Sequence, residues 1–346
     1  MSKAVRIGNV TIGGGAPVAI QSMTTTRPRD TESTVSQILA LEKAGCDIVR
    51  FCVRDEADAK AITVIGEKTH IPLVADIHFD YRLAIAAAEH GADKVRINPG
   101  NIGGEDRIAA VADCLKAHKI PVRVGANTGS IEKEHLLKYG RSARALVESA
   151  LCNVRALERH GVEDIVVSVK ASDVRLTVEA YEMLAKTVDY PLHLGVTEAG
   201  TLMSGVVKNS VGIGALLLKG IGDTVRVSLS ADPVEEIVAA KRILRSVGLD
   251  KNYAEIVSCP TCGRCDWDLI PFAEKTEAFT AGVKKPIKIA VMGCVVNGPG
   301  EAADADIGIA GGKDGCMIFK KGAPYKKVAY EDAERVFFGE IENCLK

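Results

Sequence analysis

Near the C-terminal end, Cys259-Pro260-Thr261-Cys262 places two thiols three positions apart. Cys294 follows far downstream in Met292-Gly293-Cys294-Val295-Val296-Asn297-Gly298-Pro299-Gly300-Glu301, where an acid sits seven residues beyond the thiol among glycines and a proline. A Cys-x-x-Cys pair turns two sulfurs toward one centre, and a third thiol from another loop is a common way to close a folded metal site. Two centres fit. Cys262-Gly263-Arg264-Cys265 overlaps the first pair, so Cys259, Cys262, Cys265 and Cys294 form a four-thiolate set suited to structural zinc. Alternatively, Cys259, Cys262 and Cys294 hold a [4Fe-4S] cluster whose fourth iron carries a carboxylate or nothing, where a weakly held ligand can yield to substrate. Spacing leaves both open.

A second constellation is cationic. Arg50, Arg96, Arg123, Lys170 and Arg226 lie within or at the end of predominantly apolar, strand-like runs. Arginine inside an apolar strand is costly unless a partner neutralises it. Ion pairs with Asp76, Glu198 and similar acids account for one or two of these cations, but those runs hold too few acids for all five. A phosphate or diphosphate ester balances the remainder, and glycines at 100, 103, 104, 125 and 129 supply turns and backbone N–H groups for the same purpose. No Walker loop or dinucleotide fingerprint is present, so neither ATP nor NAD is indicated. Glu198 is the acid best placed for proton transfer, at the end of a strand-like run facing the basic groups. His78 and His193 read either as proton-transfer groups or as hydrogen-bonded barrel histidines.

The elements that must position these groups follow a regular rhythm. After a short strand pair around residues 6–12, apolar runs at 17–23, 47–53, 72–78, 94–98, 121–126, 164–170, 191–198 and 224–230 alternate with amphipathic stretches. Helix starts such as Asp30-Thr31, and glycine stops such as Ala44-Gly45, His90-Gly91 and His160-Gly161, punctuate them. Eight βα units in this length predict an α/β fold, a (β/α)8 TIM barrel; an open doubly wound sheet is the alternative. Barrel active sites gather at the C-terminal ends of the strands, where the cations lie. Beyond Gly248 the rhythm changes, which predicts a barrel over 1–247 and a small α+β domain over 248–346 carrying the metal centre.

Composition narrows the function. With 346 residues and 47% hydrophobic content the chain can bury a large core, and 44 basic against 45 acidic residues argue against nucleic acid as the main partner. No apolar run approaches the ~20 residues a membrane span needs. The first residues lack a signal-peptide core, and ten cysteines without one read as thiols of a cytoplasmic protein.

Cys259-Pro-Thr-Cys262 with Cys294-Val-Val-Asn-Gly-Pro-Gly-Glu301 resembles the cluster signature of the 4-hydroxy-3-methylbut-2-en-1-yl diphosphate synthase family of the non-mevalonate isoprenoid pathway. The resemblance extends over nearly the whole chain, through Val74-Ala-Asp-Ile-His-Phe-Asp-Tyr81, Arg96-Ile-Asn-Pro-Gly-Asn-Ile-Gly103, Val167-Ser-Val-Lys-Ala-Ser-Asp173, His193-Leu-Gly-Val-Thr-Glu-Ala-Gly200 and Gly220-Ile-Gly-Asp-Thr-Val-Arg-Val-Ser228. It implies a [4Fe-4S] cluster held by Cys259, Cys262, Cys294 and Glu301, with Cys265 a bystander. It also implies the short bacterial form, a homodimer in which one subunit's cluster domain caps the other's barrel mouth, with flavodoxin or a ferredoxin as electron donor. The implied reaction is the two-electron reductive ring opening of 2-C-methyl-D-erythritol 2,4-cyclodiphosphate. Arg50, Arg96, Arg123, Asn127, Lys170 and Ser228 would hold the diphosphate, Glu198 would protonate the departing hydroxyl, and Glu301 would give up its iron to the substrate oxygen. Arg54 competes with Arg50 for the phosphate role. The rival readings are an electron-transfer or cluster-carrier protein, and a phosphate-ester barrel enzyme with a structural zinc domain.

Overall fold

The structure is a computed structural model that describes residues 1–265, 267–294, 300 and 302–346. The chain divides into two compact units, Met1–Leu249 and Asp250–Lys346.

The first unit is a parallel barrel. Its strands are β3 (Ala19–Met23), β4 (Ile48–Cys52), β5 (Leu73–Asp76), β6 (Lys94–Ile97), β7 (Val122–Asn127), β8 (Ile165–Lys170), β9 (His193–Leu194) and β10 (Thr224–Val225). They run in the order β8-β7-β6-β5-β4-β3-β10-β9, and a bridge between Val167 and Leu192 joins the two ends. This is the expected (β/α)8 architecture, with the last two strands shorter than the apolar runs suggested. Helices return the chain between strands, and their starts are fixed locally: Asp30, Asp55, Asp80, Ser142, Asp173 and Asp232 each accept a backbone N–H from the first turn.

Strand alternation sorts the side chains cleanly. Val49, Phe51, Ala75, Val95, Ile97, Val122, Val124, Val167 and Val169 face outward into the core shared with the helices. The opposite parity carries Gln21, Arg50, Asp76, Lys94, Arg96, Arg123, Ser168 and Lys170 into the barrel. Only the lowest inner layer is apolar. There the antiparallel hairpin of β1 (Val5–Ile7) and β2 (Val10–Ile12) packs Val5, Ile7 and Ile12 against Ala19, Ile48, Val74 and Val166, closing the N-terminal end of the barrel.

The second unit is a five-stranded sheet in the order β11 (Ala254–Ser258), β12 (Ile287–Met292), β13 (Ile307–Gly312), β14 (Gly315–Lys320), β15 (Ala323–Val328). The first three strands are parallel and the last three antiparallel. Helices Leu269–Thr280 and Tyr330–Leu345 cover one face through Leu269, Phe272, Phe337 and Ile341, packed on Ile289, Val291, Ile309 and Ile318. The Gly311-Gly312 pair ends β13, and the reversal into β14 falls at Lys313-Asp314. Among the described residues no helix is long and apolar enough to cross a membrane.

Candidate functional site

The barrel interior is strongly cationic. Arg50, Lys94, Arg123 and Lys170 are buried, and Arg96 and Arg226 expose little of their side chains. Two carboxylates answer them. Asp76 lies 3.1 Å from Arg96 Nη1 and 3.7 Å from Arg50 Nε, while Glu236 takes Arg226 at 3.3 Å. Among the described residues no acid pairs with Lys94, Arg123 or Lys170 within ion-pair distance. Burial works against ionisation of Asp76, but Arg50, Arg96 and Arg123 outweigh it and hold the carboxyl well below its usual range. Burial first, and then Arg123, Arg50, Arg226 and Arg96, push the Lys170 ammonium well below the usual lysine range.

Register makes the charge surplus local. Arg96 on β6 pairs directly with Asp76 on β5 and with Arg123 on β7, so two arginines sit side by side across a strand pair. Like charges directly opposite are destabilising in a sheet. Their donors are also unmet: Arg50 Nε, Arg96 Nε and Arg123 Nε and Nη1 are buried with no hydrogen-bond partner. A buried donor left unmade costs about 1–3 kcal/mol, more when charged. An anion with several acceptor oxygens satisfies this arrangement; a neutral ligand does not.

Two glycines open the space that these cations occupy. A Cβ at Gly125 would stand 3.1 Å from Arg96 Nε and Nη2 and 3.1 Å from Ser168 Oγ. One at Gly195 would stand 2.6 Å from Lys170 Nζ and 2.6 Å from the Arg226 carbonyl oxygen. The other glycines are not all donors as expected, since the Gly100 N–H is taken by Asn98 Oδ1 at 3.2 Å and Asn153 Oδ1 at 2.7 Å.

The remaining expected residues lie at the same strand ends. Asn127 closes β7, in register with Lys170, and its backbone N–H meets Ser130 Oγ at 3.1 Å in the short turn Thr128–Ser130. Ser228 follows β10, half-buried. Glu198 is exposed in the loop after β9, in the left-handed backbone region at φ 50°. Arg50 points into the barrel, whereas the Arg54 side chain is exposed and its backbone N–H is bound to Asp58. His193 is fully buried with Nδ1 2.7 Å from Thr224 Oγ1, and burial followed by Lys170 and Arg123 keeps it well below the usual histidine range, so it is neutral. His78 is exposed beside Cys52.

Three further residues hold this geometry without having stood out in the sequence. Glu236, in the first turn of helix Pro233–Ser246, accepts from Ser22 Oγ, Arg226 and the Leu229 N–H. Asn209, buried on helix Leu202–Leu217, accepts from the Val196 N–H and donates to the Ser228 carbonyl at 3.3 Å, tying the loop of Glu198 to that of Ser228. Lys94 forms an inner layer with Gln21, whose Oε1 accepts from Nζ at 3.4 Å.

In the second unit, Cys259 follows β11 and Cys294 follows β12, which are parallel neighbours, so both loops leave the same end of the sheet. The Gly293 N–H donates to Cys259 Sγ at 3.1 Å. A Cβ at Gly293 would stand 3.3 Å from Cys259 Sγ and 3.0 Å from Cys265 Sγ, tight enough that the sulfurs would have to shift to admit it. Trp267 fixes the Cys262–Cys265 turn by donating Nε1–H to the Met292 carbonyl at 3.1 Å. Cys265 is occupied with the Trp267 carbonyl at 3.2 Å. Glu301 lies outside the described residues. Among the described residues no three Cys, His, Asp or Glu side chains stand in metal-holding geometry. The donor chemistry suits a thiolate-bound cluster: thiols delivered to one sheet end, with a backbone donor on one sulfur.

Comparison with known proteins agrees with this architecture. Residues 2–241 match the GcpE TIM-barrel domain and residues 255–343 the GcpE protein C-terminal domain. The chain is 56% identical over 346 residues to the 4-hydroxy-3-methylbut-2-en-1-yl diphosphate synthase (flavodoxin) of Anoxybacillus flavithermus, covering 100% of this chain and 95% of that protein. It is 55% identical over 347 residues to the protein of the same name from Caldanaerobacter subterraneus subsp. tengcongensis, covering 100% and 98%. The barrel is similar to the Yersinia pestis dihydropteroate synthase at a TM-score of 0.52 and 12% identity, covering 71% of this chain and 98% of that one, a likeness of fold alone. The chain belongs to the GcpE family, that of the 4-hydroxy-3-methylbut-2-en-1-yl diphosphate synthases.

Proposed function

We propose that this chain is an oxidoreductase that opens 2-C-methyl-D-erythritol 2,4-cyclodiphosphate reductively, releasing water and the linear 4-hydroxy-3-methylbut-2-enyl diphosphate. The observation that carries the reading is the barrel interior, where Arg123 and Lys170 lack carboxylate partners and buried guanidinium donors lack acceptors. A carrier protein has no use for such a pocket.

In this reading the barrel is the substrate domain and the second unit the cluster domain. Arg50, Arg96, Arg123 and Lys170 take the phosphoryl oxygens, with Asn127 and Ser228 at the rim completing the contacts. Asp76 keeps Arg50 and Arg96 aligned, and Glu236 does so for Arg226. Glu198, on the loop tethered by Asn209, gives the proton that turns the departing hydroxyl into water. Cys259, Cys262 and Cys294, with Glu301, would hold a [4Fe-4S] cluster. When bound, that cluster supplies one-electron transfer and a Lewis-acidic iron.

Flavodoxin, named for the relatives, is the proposed electron donor, and the reducing cytoplasm suits the ten cysteines. A homodimer is supported by an apolar row on helix Leu202–Leu217, where Met203, Val207 and Val211 recur every four residues and are 76%, 55% and 57% exposed.

The test is anaerobic turnover. Iron-loaded chain, a low-potential reductant and the cyclic diphosphate are followed by phosphorus NMR. Consumption of the cyclic ester with appearance of the linear diphosphate is expected. An iron-loaded protein that leaves the ester untouched would refute the reading.

A further inference from the structure

Beneath the mouth lies a polar layer that the substrate contacts do not use. Lys94, the first residue of β6, is 0% exposed, and its one hydrogen bond among the described residues is the 3.4 Å contact to Gln21 Oε1. Gln21 Nε2, Arg123 Nε and Nη1 and His193 Nε2 are buried nearby in the same interior without partners. Below them the floor is apolar, formed by Ile7, Ile12, Ile48, Val74 and Val166. The charged groups facing this layer are Arg50 on β4, Asp76 on β5, Arg96 on β6, Arg123 on β7, Lys170 at the end of β8, and Arg226 after β10. Asp76 is engaged by Arg50 and Arg96, and Glu236 by Arg226, so no carboxylate is left for Lys94. His193, on β9, is held by Thr224.

A buried ammonium surrounded by guanidiniums and lacking a counter-ion is disfavoured twice, by desolvation and by like charge. Both effects operate here in that order, burial first and then Arg123 and Arg50, and both drive Lys94 toward its neutral form. An anion entering above reverses the second effect, because its negative charge offsets the repulsion from the same arginines.

We infer that Lys94 is a proton-linked positioning residue of the substrate site: it takes up a proton when a diphosphate enters the barrel mouth. The proton comes from solvent and stays on Nζ while the anion is bound, adding a cation to the pocket only when there is charge to balance. The inference rests on the reading of the mouth as a diphosphate site. It gives affinity a definite pH dependence: each proton taken up corresponds to about a tenfold fall in affinity per unit rise in pH.

The test is calorimetric titration of the full chain with inorganic pyrophosphate near pH 8, in buffers of different ionisation enthalpy. The slope of observed heat against buffer enthalpy counts the protons taken up. Wild type is expected to take up more than pyrophosphate's own protonation supplies, and Lys94→Met to lose a large share of that excess while still binding. Equal uptake in the two proteins overturns the inference. So does a wild-type uptake no greater than the ligand's own protonation, whether or not the variant folds. Absence of any pyrophosphate binding removes the diphosphate reading and this inference with it, whereas binding without excess uptake removes this inference alone.

Discussion

Lys170 lies against the backbone of Gly195, so close that a Cβ at position 195 would stand 2.6 Å from Nζ and the same distance from the Arg226 carbonyl. The carbonyl cannot swing aside as a side chain can. Gly195→Ala therefore displaces either the β9 end or the ammonium. A misplacement of about 1 Å at a reacting group costs on the order of 100-fold, so kcat/KM should fall by about that factor. Lys170→Ala should act in the same direction, mainly through KM. Steady-state kinetics with the cyclic diphosphate decide this, and unchanged KM in both variants would move the anion elsewhere.

Asp76 holds Arg50 and Arg96 together from inside the barrel. Removing one partner of a buried pair costs about 3–5 kcal/mol, so Asp76→Asn should unfold at markedly lower urea concentration at pH 7. The sign of the pH dependence follows from the depressed carboxyl. Its contribution is complete above the unfolded carboxylate value of about 3.9 and is lost as pH falls through the folded value. The gap between wild type and variant should persist at neutral pH and narrow under strong acid. Pyrophosphate should stabilise the variant as well as wild type, because the orphaned cations remain.

Asn209 ties two loops with one buried amide. Asn209→Ala leaves the Val196 N–H without its acceptor, at a cost of about 1–3 kcal/mol in stability. Because that loop carries Glu198, kcat should fall, by up to about 100-fold, with KM little changed. A variant whose KM rises while kcat holds would assign Asn209 to substrate binding instead.

The thiols divide into a ligand set and a bystander. Cys259→Ser, Cys262→Ser and Cys294→Ser should each lose iron and acid-labile sulfide after anaerobic reconstitution, whereas Cys265→Ser should keep both, since its thiol is bonded to the Trp267 carbonyl. Gly293→Ala should lower cluster content without touching a ligand, because the new methyl meets both Cys259 and Cys265 sulfurs. Zinc bound by wild type and lost from Cys265→Ser as from the other three variants would favour the four-thiolate site.

The barrel is readable in the sequence because its strands alternate with capped helices at regular spacing, and because arginine in a Val/Ile run is conspicuous. What escapes is set by context. Glu236 follows Pro233 in a helix first turn, where acids ordinarily answer the helix dipole, and only folding turns it onto Arg226. Lys94 stands at a strand start, where lysine is usually solvated; its burial depends on the hairpin that closes the barrel floor. In the second unit β15 (Ala323–Val328) shows no strand pattern in the sequence, because it is an edge strand whose proline and lysines face solvent. Likewise β11 (Ala254–Ser258) holds only Ile256 and Val257 as large apolar residues, beside the exposed Glu255, and shows no apolar run.

The central claim is that one substrate meets both the cationic barrel and the cluster. The most direct measurement is the EPR spectrum of anaerobically reduced, iron-loaded full-length chain, with and without the cyclic diphosphate. A [4Fe-4S]+ signal that changes on adding the ester in wild type, and changes far less at the same concentration in Lys170→Ala, is predicted. A cluster signal indifferent to saturating ester, or a protein that holds zinc and no iron when oxygen is excluded throughout, would contradict the account.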